Sequence, residues 1–508
     1  MGRQKEGKKP VKKQDFSGEC DLDGGYVSPV KTFHDLTPEN IKSLVTSSRY
    51  IQILIALTTI GIFLRFYNLG YNSLWLDEAS TYTISIQSFA DIWLMTAAGE
   101  FNPPLFYWAE HLMLMLGNNE ELLRLLPALF GVLTIPLFYL VGREFFDRNV
   151  GIIAAAGCTF SSFLIDYSQE ARAYTMTLFF ITLATLFFLK AIKSSTLNNW
   201  LLFGIFSALV FWTHFYAFVM IAALILYALI TVAPRIRTDL NAFKTLIAGV
   251  IIFIVLCLPL IVVTLRLFAL RTVSAPILGL QGLSLIWDTF YQFSGLNVLS
   301  TLFLAALFFL GVGQMYFLNK SKCVFLSLIT VVTFGFSYIL AVMMPLQPRH
   351  LVYFNLVFFI GVACSYRIFY ALLRRPAVVY GFIAILCMIS VPVLHYYYFE
   401  YSKTDWRNFG GVLQEKTNPG DVVVAVPGYI AQPLDYYYSS TADQTHEYQA
   451  TTSQDLEGIY SRRGNSTIFF VVTEDIRSAN PSGDALAWLK NNTQYIGQNT
   501  GIYLFSSL

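Results

Sequence analysis

Two adjacent acids, Asp77 and Glu78 in the run SLWLDE, stand a few residues beyond a long apolar segment at 50–69. That segment is long enough to cross about 30 Å of hydrocarbon as a helix, so the pair emerges at a membrane surface, where carboxylates are candidates for acid–base chemistry. Further polar residues recur at the ends of later apolar segments: Asn102, Glu121 with Arg124, Asp166, Glu170 with Arg172, His214, Arg266, Arg271, and Arg349 with His350. Ionisable groups at such depths are costly unless they face a cavity or a partner. Singly, Arg266 reads as an interface anchor whose stem snorkels along apolar surface, and His214 reads equally well as a helix cap. As a set sharing one membrane face, they imply a polar site at that interface.

The elements that position these residues follow from composition. Of 508 residues, 55% are apolar and only 13% are charged, and the mean hydropathy is +0.55. A soluble chain carries roughly a quarter charged residues, so this is a polytopic α-helical membrane protein, and its net charge of +2 gives no indication of a nucleic-acid partner. Apolar runs near 50–69, 122–142, 149–166, 173–191, 199–214, 216–233, 245–268, 298–318, 323–344, 350–370 and 378–398 predict about eleven membrane helices. Residues 1–48 read as a disordered tail, with Arg3, Lys5, Lys8, Lys9, Lys12 and Lys13 near its start. No apolar segment falls early enough for a secretory signal, which keeps the tail in the cytoplasm. The basic loops (Arg143 and Arg148, Lys190 and Lys193, Arg235, Arg237 and Lys244, Lys320 and Lys322, Arg367, Arg374 and Arg375) then all fall on the tail's side, as charge bias demands. PPLFYWAEHLMLM at 104–116 is too short to span and holds Glu110 and His111; it is expected as an amphipathic interfacial helix inside an external loop at 70–121.

The ordered pieces SLWLDEAST, FNPPLFYW, ELLRLLPAL, DYSQEARAYT, WTHFYAF and QPRHLVYF resemble the C-type-fold (GT-C) membrane glycosyltransferases. Within them they are most similar to family 39, the branch of the protein O-mannosyltransferases and lipid A aminoarabinose transferases, over about residues 50–370. The resemblance implies a donor sugar on a polyprenyl or dolichyl monophosphate and inverting transfer to a hydroxyl of a glycan, lipid or protein at the extracytoplasmic face of the cell membrane. It implies Asp77 as general base, with Glu78 raising the basicity of the pair or positioning the acceptor. Arg124, Arg172 and Arg349 would hold the carrier phosphate, and Asn102, Glu170, Tyr174, His214 and His350 would contact substrate. Asn102 departs from the His or Lys common before the Pro-Pro, and His350 from the Tyr common after the Arg, so the acceptor is not inherited. The Trp-Trp-Asp-Tyr-Gly run of oligosaccharyltransferases is absent, which argues against en bloc transfer to Asn. No metal or other cofactor is required; Asp77, Glu78, Asp166 and His214 are compatible with a divalent cation, although their spacing is not that of a metal motif.

Residues 49–399 thus form the expected catalytic membrane domain, and the chain changes character after 400. TDWRNFGGVLQEKTNPGDVVVAV reads as helix, turn and strand, STIFFVVTED and GIYLFSSL as strands, and DALAWLKNN as a helix, giving a small external α/β domain at 400–508. It holds the sequons at Asn465 and Asn491 and none of the six cysteines. A transporter or flippase of a lipid-linked saccharide is the competing reading. It would place its polar groups near mid-membrane in inverted halves, whereas here they lie at one face.

Overall fold

The computed structural model describes residues 20–24, 35, 37–100, 102–271, 280, 282–401, 403–438, 447–462, 464 and 466–508. The remainder of the tail and Asn465 lie outside the described residues, as does the side chain of Arg271. α1 (Pro38–Ser47) and α2 (Arg49–Phe66) precede three short helices, α3 (Leu76–Ser85), α4 (Phe89–Ala98) and α5 (Pro104–Leu114). Next come α6 (Glu120–Phe145), α7 (Arg148–Phe160), α8 (Ser162–Asp166), α9 (Tyr174–Ser194), α10 (Leu197–Thr213), α11 (Phe218–Val232) and α12 (Leu240–Arg271). α13 (Leu283–Phe293), α14 (Val298–Leu318), α15 (Lys320–Leu340), α16 (Phe354–Cys364), α17 (Tyr366–Leu373) and α18 (Ala377–Phe399) complete the membrane part.

All eleven expected apolar runs are helical, but among the described residues only nine helices are long and apolar enough to span. The run at 149–166 divides at Ser161, whose backbone leaves the helix and whose hydroxyl caps Leu164 N, into α7 and α8. α10 has 17 residues. α7 is buried from Asn149 to Phe160, enclosed by α2, α6, α16 and α18, so it needs no lipid-facing length. Close approach explains two glycines: a Cβ on Gly142 would stand 2.7 Å from Gly151 Cα where α6 meets α7, the small-residue packing that apolar helices use when no hydrophobic drive separates lipid from helix.

α5 departs from the expected surface helix. It packs on α3, α4, α6 and α10, and Glu110 is buried with neither carboxylate oxygen partnered, so burial pushes its carboxyl well above the usual range and keeps it neutral. Only its far end, with Leu112, Met115 and Leu116, is exposed.

At the end of the bundle remote from Asp77, Asp23 accepts from Arg49 N (2.7 Å), Ser48 Oγ (2.9 Å) and Arg148 Nη1 (3.1 Å). Lys322 and Arg367 lie 4.5 and 5.5 Å from the Phe146 ring, and Lys193 pairs with Glu144 at 2.6 Å. Arg148, Lys193, Lys322 and Arg367, four of the residues expected in basic loops, thus lie at the end that holds Asp23.

The second domain consists of α19 (Trp406–Lys416), β1 (Val422–Val426), α20 (Ala431–Tyr437), β2 (Glu447–Gln449), α21 (Ser453–Ser461), β3 (Ile468–Thr473), α22 (Ile476–Ala479), α23 (Asp484–Asn492), β4 (Thr493–Asn499) and β5 (Ile502–Ser507). The sheet order is β2-β1-β3-β5-β4; β1 is parallel to β2 and β3, and β5 is antiparallel to β3 and β4. Because successive strand residues point to opposite faces, Val423, Ala425, Phe469 and Val471 pack on one side with Trp406, Leu413 and Leu434. Val422, Val424, Phe470 and Val472 pack on the other with Leu456 and Leu489. Helices covering both faces make VVVAV a continuous apolar run rather than an alternating one.

Candidate active site

The acid pair opens α3, where the helix N-terminus favours negative charge, and adjacent positions on a helix point in different directions. Asp77 is 26% exposed and lines a cavity of about 380 Å³. Glu78 is wholly buried. It accepts from Arg124 Nε and Nη2, both at 2.7 Å, and from Ala171 N at 2.9 Å. Burial alone would raise this carboxyl, but Arg124 and Lys403 outweigh it and hold it ionised down to about 2.

Arg124 does not fill the expected role of phosphate holder. Its remaining N–H groups go to the carbonyls of Leu69, Asn72 and Ser73 at 2.8–3.2 Å. All five donors are therefore taken, and the guanidinium is 2% exposed and outside the cavity lining. Arg124 and Glu78 together fold the loop before α3. Glu170, expected on substrate, also sits behind the wall, 2.9 Å from Lys403 Nζ.

The structure brings Asp77, Asn102, Arg172, Tyr174, His214, Arg349 and His350 together in the one cavity. Arg172, in the loop before α9, uses Nη1 on the Asp77 carbonyl (3.1 Å) and Thr81 Oγ1 (3.3 Å); among the described residues nothing accepts from its other nitrogens. Arg349 follows Pro348 in a short 3₁₀ turn. Its Nη1 is 3.4 Å from Asp77 Oδ2, its guanidinium lies 5.5 Å from the Trp75 ring centroid, and its buried Nε has no acceptor. His350 accepts from Gln347 N through Nδ1 (3.1 Å) and stacks on Tyr216 (5.4 Å, 19°). Burial beside His214 and the two arginines pushes its pKa well down, so the ring is neutral. This wall offers guanidinium and imidazole donors to an anion.

Elsewhere in this lining, Glu100 Oε1 accepts from Tyr107 OH (2.8 Å) and Asn102 N (3.3 Å), and Asn102 Nδ2 donates to Tyr107 OH (3.3 Å). Sequence reasoning missed Glu100, Ser80, Tyr216 and Gln347. Ser80, Tyr216 and Gln347 lie inside the pieces SLWLDEAST, WTHFYAF and QPRHLVYF, and Glu100 stands two residues before Asn102. The cation arrangement weighed for Asp77, Glu78, Asp166 and His214 does not assemble: Glu78 is closed by Arg124, and no three His, Cys, Asp or Glu groups converge among the described residues.

Residues 102–263, which carry Asn102, Arg124, Arg172, Tyr174 and His214, match the family described as dolichyl-phosphate-mannose-protein mannosyltransferase. With 89% of this chain and 97% of the other aligned, the structure is similar to ArnT from Cupriavidus metallidurans in the apo state, at a TM-score of 0.62 and 12% identity. The chain has the GT-C fold. The same ArnT bound to undecaprenyl phosphate aligns at a TM-score of 0.58 with 13% identity, covering 89% of the GT-C chain and 98% of ArnT. The oligosaccharyltransferase AglB from Archaeoglobus fulgidus, in complex with an inhibitory peptide and a dolichol-phosphate, aligns at 0.53 with 14% identity over 91% and 75% of the two chains. In sequence, an uncharacterized protein of Aquifex aeolicus (strain VF5) is 32% identical over 137 residues. That match spans 24% of the GT-C chain and about a quarter, 26%, of the relative. The chain is thus an integral membrane protein of GT-C fold with a small C-terminal sheet domain.

Proposed function

We propose that this protein is an inverting glycosyltransferase that moves a monosaccharide from a polyprenyl or dolichyl monophosphate to a hydroxyl acceptor. The observation that carries the reading is the cavity in which Asp77 faces the guanidinium of Arg349 at 3.4 Å and carries Arg172 on its own carbonyl. In this reaction the acceptor oxygen forms a bond to the anomeric carbon, its proton passes to the Asp77 carboxylate, and the bond to the phosphate oxygen breaks with its electrons on the phosphate. Charge therefore develops where Arg172, Arg349 and the neutral His350 stand, and fixed donors in a desolvated site stabilise it better than water does. An anionic leaving group needs no strong general acid, and none is required of the wall.

A lipid carrier is supported by a second, apolar cavity of about 140 Å³ that shares Phe215, Tyr216 and Met344 with the first and continues between α11, α12 and α15. It is supported also by the polyprenyl phosphates bound to ArnT and AglB. The gathering of Arg148, Lys193, Lys322 and Arg367 at the opposite end of the bundle favours an extracytoplasmic site. The test is to incubate the purified protein with a panel of polyprenyl-phosphate sugars and acceptor extracts. Consumption of one lipid donor with release of polyprenyl phosphate is expected; transfer from a nucleotide sugar without lipid would overturn the assignment.

A further inference from the structure

Lys403 lies just past the end of α18, outside the GT-C helices and outside the cavity lining. It is nevertheless 7% exposed, and its surroundings are polar in a particular way. Nζ stands 2.9 Å from Glu170 Oε1, 3.6 Å from Glu78 Oε2 and 5.7 Å from the centroid of Trp75, while its backbone N donates to Asn72 Oδ1 at 3.1 Å. Each of those three side chains adjoins a different group of the cavity. Glu78 is the chain neighbour of Asp77. Glu170 O accepts from Arg172 N at 2.7 Å, and the ring of Trp75 carries the guanidinium of Arg349.

We propose that Lys403 is a positioning residue for the transfer reaction, one buried cation that sets Asp77, Arg172 and Arg349 relative to one another from behind the cavity wall. The inference rests on the proposed function and extends it by giving the C-terminal domain a part in catalysis. A buried ammonium is uncompensated unless its carboxylate partners stay beside it, and both carboxylates belong to segments that carry groups of the cavity. Burial disfavours its charge, but Glu170 and Glu78 outweigh that cost and keep it protonated. Displacing a reacting group by 1 Å is enough to lose about 100-fold in rate, so the effect of losing this cation is on geometry at the site, read in turnover.

The control is Arg407, which ties the same domain to Glu120 at 2.6 Å and to the carbonyls of Gly70 and Tyr71, is 44% exposed, and contacts none of the three relays. Lys403→Met and Arg407→Ala are purified in detergent, the folded fraction is measured by size exclusion and thermal melting, and kcat and donor KM are taken per folded molecule. Expected is a roughly 10- to 100-fold fall in kcat for Lys403→Met with a few-fold rise in KM, against a lowered melting temperature and unchanged kcat for Arg407→Ala. Should Lys403→Met not fold, Lys403→Met combined with Glu170→Gln removes the charge left unpaired and is read by the same criteria. Wild-type kcat in the lysine variant, or an equal fall in the arginine variant, overturns the inference alone. A wild-type protein that consumes no lipid-linked sugar overturns the proposed function and this inference together.

Discussion

Substituting the two adjacent acids one at a time should give opposite phenotypes. Glu78→Gln keeps the volume of a fully buried side chain but removes the charge that meets Arg124 at 2.7 Å through two bonds, and it turns an amide donor towards a guanidinium that has only donors. Arg124 retains three carbonyl partners in the 69–73 loop and loses its counter-ion. An uncompensated buried charge of this kind costs about 3–5 kcal/mol. The pair's pH dependence has a defined sign: the folded carboxyl titrates near 2, below the ordinary ~4.3 of the unfolded chain, so its contribution is present above about pH 4 and disappears only as pH falls towards 2. Asp77→Asn removes no buried pair. It should melt like wild type and lose about 100- to 10,000-fold in transfer, the usual contribution of a general base. Thermal melts followed by tryptophan fluorescence, with donor-consumption rates on the same preparations, separate the two. Glu78→Gln with a wild-type melting profile, or Asp77→Asn with wild-type turnover, would refute the division of labour between base and scaffold.

Arg172→Lys should weaken donor binding, and Arg172→Ala should weaken it by about 10- to 100-fold, since a point charge does not reproduce a guanidinium fork on phosphate; equal donor affinity in titrations of the alanine variant would remove Arg172 from the phosphate site. Arg124→Lys should instead reduce the yield of folded protein. Cysteines placed at Tyr71 and Glu415 in a background without the six native cysteines should react with an impermeant thiol reagent from the same side, and one at Arg374 only after permeabilisation; any other pattern breaks the proposed sidedness. In the second domain, burial and the neighbouring Asp435 carboxyl raise Glu447 to about 7. Its contribution is therefore full below the ordinary ~4.3 and lost as pH rises through 7, so the domain should melt higher at pH 5 than at pH 8, with Glu447→Gln flattening the difference.

The helices were legible because apolar runs of membrane length leave few alternatives, and the break at Ser161 was not, since nothing in an unbroken apolar run shows that the helix within it is enclosed by others. Asp77, Arg172 and Arg349 were legible as motif residues at helix ends. Which of two neighbouring acids turns inward was not: it depends on Arg124 approaching from another helix, and the same contact withdraws Arg124 from the cavity. Lys403 carried no signal at all, because its role comes from three segments that meet only in the folded chain. The strands VVVAV and IFFVVT were plain from β-branched content, whereas the edge strands EYQ and TQYIGQN are mostly polar and lack alternation.

The strand order has a bearing on when the protein becomes competent. β5 is inserted between β3 and β4, so the sheet is incomplete until the ribosome has delivered residues as far as Ser507. The segment around Ser73, by contrast, is made early, and its partners Asp405 and Tyr437 arrive more than 300 residues later. At the elongation rates of translation, about 5–20 residues per second, tens of seconds separate the two. During that interval the membrane helices can insert and pack while the loop before α3 has no second side to close against. Closure of the loop before α3 therefore waits on residues 405–437, long after the helices on either side of it have been made.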